Sequence, residues 1–293
     1  GARLRDLADE LGRGLADGGL VVLGSGAIPL ATAADLRELV SVAGSTRPAA
    51  LTNNRYSADV IAIACARSVL ADAPDLSADN ALPRWLEEVA GVPVEDRRDR
   101  RRLGVDIDGP LDLVLLGGAW GSRLPDPDAV RLRASMTGVR SVIADRSAEL
   151  LISGRVSAAN LRWLEDRTAS RTRALIEERG LRTRRPGQRP VASVVGALLE
   201  RDGPGSLGDH LARLGDAAIV DTRVLLAHHF GAEEAGWPSA EDRFASDLLL
   251  ADRIVDPWLR DLTASAASAT IPVLLGGHTL VGPGLPLALG HRA

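Results

Sequence analysis

The chain contains no lysine: all 35 of its basic residues are arginine. Schiff-base chemistry, a P-loop lysine and a lysine general base are therefore excluded. Arginine is the only fixed cation left for phosphate or carboxylate, and its planar fork grips either through two bonds. Cysteine occurs once, in the apolar run Val60–Ile61–Ala62–Ile63–Ala64–Cys65. A single cysteine excludes an internal disulfide framework and a thiolate zinc site, and Cys65 reads as a small core residue. No apolar run approaches the roughly 18–20 residues that a spanning helix needs, and no signal-peptide pattern is visible. Net charge is −4, so there is no basic footprint for nucleic acid or a membrane surface. These points predict a cytoplasmic protein with neither nucleic acid nor membrane as partner. A homo-oligomer is left open.

What is present is an ordinary globular balance over 293 residues, 45% hydrophobic and 25% charged. That length suggests two domains. Gly1 leads straight into an amphipathic helix pattern, Leu4, Leu7, Leu11 and Leu15, without an initiator Met. The expectation is that an upstream segment precedes it. Residues 20–23 then read as a buried strand, 33–43 as a helix capped by Thr32, and 59–65 as another strand. A helix beginning at Ser77 or Asp79 runs through Leu82, Trp85, Leu86 and Val89 to Gly91. The charged run from Glu95 to Arg102 reads as a solvated loop. Val105–Asp108 reads as a strand and 110–116 as a helix. Alternating strands and helices predict a mostly parallel α/β sheet.

Gly117–Gly118 and Pro125–Asp126–Pro127 mark the expected boundary, giving domains 1–118 and 119–293. The second region reads as mainly helical, with helices at 127–136, 146–151, 157–179, 192–200, 206–214, 222–229, 239–253 and 256–268. Arg182 to Pro190 reads as an exposed loop. Two strands are expected there, 216–221 and 271–275. His228 and His229 are neighbours on a helix, about 100° apart, and so poorly placed to share one metal.

Two segments carry the functional expectation. One is Leu20–Val21–Val22–Leu23–Gly24–Ser25–Gly26–Ala27–Ile28–Pro29–Leu30, followed by Thr32 and Asp35–Leu36. The other is Val105–Asp106–Ile107–Asp108–Gly109–Pro110–Leu111–Asp112–Leu113. Each reads as a strand entering a tight loop and then a helix, the place where open α/β sheets bind ligands. Asp106 and Asp108 at i and i+2 share a face of an extended stretch and suit a divalent cation. The same residues also suit a capped turn, since Asp and Gly serve turns and Pro suits the first helical position.

In order and motif, residues 1–118 resemble the GT-A-like nucleotidyltransferases. The nearest resemblance is to the 2-phospho-lactate guanylyltransferases and the molybdenum-cofactor nucleotidyltransferases. That resemblance implies a sheet of the nucleotidyltransferase type, magnesium at Asp106 and Asp108, and transfer of a nucleotidyl group from an NTP to a small phosphorylated or carboxylated acceptor. The acid that precedes Pro-Leu in the family is Ala27 here, and the family's Gly-rich loop has no counterpart. These departures carry the alternative: a catalytically silent relative acting as a ligand-binding or assembly module. Ligand contacts are expected from Ser25 and Gly26, from the polar loop Asn53, Asn54 and Arg55, and from Arg223 and His278 in the second region. Arg223 follows a strand end, where it can meet an anion at a helix start. His278 follows Gly276–Gly277, which reads equally as a close backbone approach to a ligand or as a hairpin turn. No catalytic residue is assigned.

Overall fold

The computed structural model describes residues 18–74, 76, 81–181 and 187–291. The expected helix at 2–17, the helix start at Ser77 or Asp79 and residues 182–186 of the expected loop lie outside the described residues. The chain divides into two compact units, Gly1–Ile107 and Asp108–Ala293.

The first unit is built on strands β1 (Leu20–Leu23), β2 (Ala50–Thr52), β3 (Val60–Ile63) and β4 (Val94–Asp96). They lie in the order β1-β3-β2-β4. β3 runs antiparallel to both β1 and β2, and only β2 and β4 are parallel. The expectation of a parallel sheet in residues 1–118 is corrected here. The link from β2 to β3, residues 53–59, is a tight polar loop, and a parallel crossover takes a dozen residues or more. The helix Ala33–Ala43 carries the chain from β1 to β2, leaving those two strands co-directional with β3 between them. Its start is fixed as the sequence indicates. Thr32 Oγ1 accepts from the Asp35 amide at 3.2 Å, and Asp35 Oδ2 accepts from the Thr32 amide at 2.8 Å.

Alternation along β3 divides this unit's core. Val60 and Ala62 pack with Leu39, Ala43, Leu51 and Leu103. Ile61 and Ile63 pack with Leu70, Leu82, Leu86 and Val94. The expected strand at 105–108 reduces to one antiparallel bridge, Ala27 to Asp106. Gly26 explains the close approach: a β-carbon there would lie 2.4 Å from the Ile107 carbonyl oxygen.

The second unit holds the parallel sheet. Its strands are β5 (Glu149–Gly154), β6 (Arg171–Ile176), β7 (Ala217–Asp221) and β8 (Val273–Gly276). Their order is β6-β5-β7-β8, every pair parallel. Helices cover both faces. Leu150, Ile152, Ile219 and Leu274 face one core with Leu132, Val139 and Leu164. Leu151, Val220, Val273 and Leu275 face the other with Leu199, Leu211 and Leu262. The region expected to be mainly helical is therefore an α/β layer structure.

Two expected helices are corrected with it. Residues 146–151 enter β5, whose apolar run is buried on both faces and so lacks the alternation of a half-exposed strand. Residues 157–179 are a helix, Ala158–Arg167, followed by β6. The helix stops where Thr168 turns extended, at φ −117° and ψ 152°. Similarly, the helix expected over 239–253 ends at Asp247, just before Leu249 at φ 59°.

Candidate functional site

Strand order in the second unit reverses between β5 and β7, since β6 was added on one side of β5 and β7 on the other. In doubly wound sheets the crevice outside the carboxyl ends of such strands is the usual ligand seat. Four charged side chains gather there. Arg155, the residue after β5, donates from Nε to Asp221 Oδ2 at 2.6 Å and from Nη2 to Asp221 Oδ1 at 3.0 Å. Asp221 ends β7, and its Oδ1 also accepts from the Arg223 amide at 3.2 Å, capping the helix Thr222–Phe230. Arg223 in turn clasps Asp247, with Nη2 on Oδ2 at 2.7 Å and Nη1 on Oδ1. Arg223 Nη1 donates to Thr222 Oγ1 as well, at 2.9 Å.

Gly154 makes this meeting possible. Its φ is 118°, and a β-carbon there would lie 2.2 Å from Asp221 Cβ. Gly277 lies beside the second pair, but the place of its absent β-carbon is 3.4 Å from Arg223 Nε, an ordinary contact distance that does not demand glycine. His278 follows Gly277, opens a short helical turn, His278–Val281, and is exposed. Because β8 runs into this helical turn and no described strand follows it, the hairpin reading of Gly276–Gly277 does not hold.

Exposure separates the two ion pairs. The side chains of Arg155 and Asp221 are 7% and 0% exposed, whereas Arg223 retains 17% and Asp247 5%. Arg223 is thus the cation that solvent reaches. Burial raises the Asp247 carboxyl above its ordinary value, against the lowering by Arg223, and the nearby Asp221 adds to the rise. For Arg223, burial disfavours the charge, but Asp247 outweighs it and the guanidinium is held more firmly protonated.

The first-unit candidates are engaged within the fold. Asn53 is buried, and its Nδ2 donates to Asp59 Oδ2 and to the Leu103 carbonyl, each at 2.9 Å. Its Oδ1 accepts from the amides of Asp59 at 3.0 Å and Val60 at 3.3 Å. Those four bonds fill the hydrogen-bonding capacity of the amide group. Asn54 Oδ1 closes a turn on the Tyr56 amide at 3.0 Å. Arg55 pairs with Glu87 at 2.9 Å and donates to the Val94 carbonyl at 2.9 Å. Ser25 and Gly26 form the turn after β1, and the Gly26 carbonyl accepts from the Ile107 amide at 3.0 Å.

The two carboxylates expected to hold magnesium fall in different units, Asp106 in the first and Asp108 in the second. Asp108 is exposed. The third acid of the motif, Asp112, is buried and accepts the amides of Asp108 and Gly109 on one oxygen, each at 2.9 Å. It thereby caps the helix Pro110–Leu116. Among the described residues no group of three or more His, Cys, Asp or Glu side chains could hold a metal ion. Nor is any described helix long and apolar enough to cross a membrane.

Elsewhere in the second unit, His228 Nδ1 accepts from the Ser193 amide at 3.2 Å, and His229 stacks on Trp258 with ring centroids 4.4 Å apart. A cavity of about 310 Å³ is lined by Asp145, Ser147 and Asp216 near the amino ends of β5 and β7. Its two aspartates make it a poor seat for an anion.

Of the residues at this sheet edge, the sequence singles out Arg223 and His278 but not Arg155 or Asp247. Arg155 had a local signal, a Gly-Arg step closing an apolar run. Asp247 had none, because its partner is set by tertiary packing. Comparison with protein-family models, curated proteins and solved structures returns no match.

Proposed function

We propose that this chain binds a small phosphate-bearing ligand at the carboxyl edge of its parallel sheet, with Arg223 as the anchoring cation and His278 at the mouth. This is the ligand-binding alternative of the sequence reading, with nucleotide as its ligand class. The observation that carries it is the chain of contacts Arg155–Asp221–Arg223–Asp247 at the point where the strand order reverses. Buried ion pairs add little to stability relative to a well-packed apolar core. Four charges concentrated at one sheet edge are therefore better accounted for by recognition than by folding. Arginine suits the task because its fork meets two phosphate oxygens at once.

Magnesium-dependent nucleotidyl transfer, with Asp106 and Asp108 as metal ligands, is the second reading. The observation on its side is the exposure of Asp108. Against it stand Ala27 and the use of the Asp112 carboxylate as a helix cap.

Isothermal titration with GTP and CTP, each with and without magnesium, tests the proposal. Binding that survives chelation of magnesium and is lost in Arg223→Ala supports it. Absence of binding by either nucleotide, with or without magnesium, overturns it. Binding that requires magnesium and is lost in Asp108→Asn transfers support to the second reading.

A further inference from the structure

Arg223 is not free to meet a ligand. Both of its terminal nitrogens are taken by the two oxygens of Asp247. That arrangement is the one a phosphate or carboxylate ligand would adopt on the same guanidinium. We infer that Asp247 is an internal substitute for the ligand: the incoming anion displaces it from Arg223, and the released carboxylate takes up one proton. This rests on the ligand-binding reading above and adds how the site is regulated.

The geometry dictates the proton. Asp247 is 5% exposed, and once separated from Arg223 it would be a buried, unpaired charge. Such a group neutralises rather than remain ionised. The charged groups around it favour the same outcome. Asp221, at the end of β7, disfavours its ionisation, while Arg243, on its own helix, opposes that effect only in part. Asp112, from the helix Pro110–Leu116, acts on Arg223, and Arg155 is already committed to Asp221. The charges balance. One negative charge arrives on the ligand, one proton arrives on Asp247, and Arg223 exchanges one anionic partner for another. No covalent bond changes besides the new O–H.

Two consequences distinguish this from a plain arginine site. Ligand affinity rises as pH falls, by about tenfold per pH unit while free Asp247 is ionised, because one proton is bound with each ligand. In addition, a site occupied by its own carboxylate loses affinity in proportion to the fraction that is closed. Asp247→Asn leaves a side chain of the same shape that holds Arg223 without charge, so the variant should bind inorganic phosphate roughly tenfold or more tightly.

The test is calorimetric titration of the whole chain with inorganic phosphate in buffers of different ionisation enthalpy, with GTP and acetate as parallel ligands. The wild type should take up close to one proton per phosphate. Asp247→Asn should take up none and bind more tightly, and Arg223→Ala should not bind. Stronger binding of GTP than of inorganic phosphate assigns the anion to a nucleotide, and comparable binding of acetate assigns the site to carboxylates in general. Wild-type binding without proton uptake, together with no gain in Asp247→Asn, overturns the substitution by Asp247 and leaves the ligand site standing. Should wild type and Asp247→Asn, confirmed folded by its melting transition, both fail to bind any of the three, the ligand site itself falls. Read at about pH 5, where inorganic phosphate is almost wholly the monoanion, the wild-type proton count needs no variant, so a poorly folded Asp247→Asn does not rescue the idea.

Discussion

Arg155 and Asp221 join the ends of β5 and β7 through a two-bond fork, 2.6 Å and 3.0 Å long, with the carboxylate side chain fully buried. Removing one partner strands the other charge in a dry site. Arg155→Met is expected to cost about 3–5 kcal/mol of unfolding free energy. Asp221→Asn, which retains an oxygen for the helix cap, should cost less than the loss of the full side chain. The double variant should lose clearly less than the sum of the two singles. Urea unfolding of all four proteins checks this, and simple additivity would contradict the pairing.

Gly154 is where β5 leaves room for that fork. At φ 118°, with Asp221 Cβ 2.2 Å from the place of a β-carbon, alanine fits neither the backbone nor the space. The backbone strain alone predicts a loss of about 1–3 kcal/mol for Gly154→Ala. Thermal unfolding measures it. A change of only a few tenths would mean that the strand end is not held as described.

Asn53 tests the distinction between a structural and a ligand-contacting residue. Its side chain spans Asp59, Val60 and Leu103. Asn53→Ala leaves buried partners unsatisfied and should cost about 1–3 kcal/mol. Amide exchange should accelerate in β2 and β3, while GTP affinity stays unchanged. Lost affinity with unchanged exchange would restore Asn53 to the ligand.

Much of this fold was legible where a short apolar run is bounded by polar or turn residues or where a cap is present. Thr32 and Asp35 announce the helix Ala33–Ala43, and the apolar runs at Leu20, Val60, Ala217 and Val273 announce four strands. β4 hides in the charged run because only Val94 turns inward, whereas Glu95 is exposed. β6 alternates Arg171 and Arg173 with Thr172 and Ala174, an edge-strand pattern that a helix-rich composition conceals. The site was half legible for a related reason. Arg223 adjoins a cap signal in sequence, whereas Asp247 reaches it only through packing.

Acid should weaken the first unit in a defined window. The hydrogen bond from Arg102 holds the Asp35 carboxyl well below the usual carboxylate range, against the opposing effect of burial, with Thr32 and Arg100 adding to the depression. Arg97 and Arg100 lower Glu38 in the same cluster. A depressed carboxyl contributes stability above its unfolded value, near pH 4, and loses it as pH falls toward the folded value. Stability should therefore fall below about pH 4, and Asp35→Asn should flatten that decline. Denaturant unfolding from pH 2 to 7 reads the slope, and identical acid limbs in the two proteins would remove Asp35 from the explanation.

Amide chemical-shift mapping with GTP locates the ligand on the protein. The largest shifts are expected at Asp221, Thr222, Arg223, Gly276, Gly277 and His278, with or without magnesium, and should vanish in Arg223→Ala. Shifts confined to residues 106–112 and dependent on magnesium, or no shifts at all, would contradict a ligand site at Arg223.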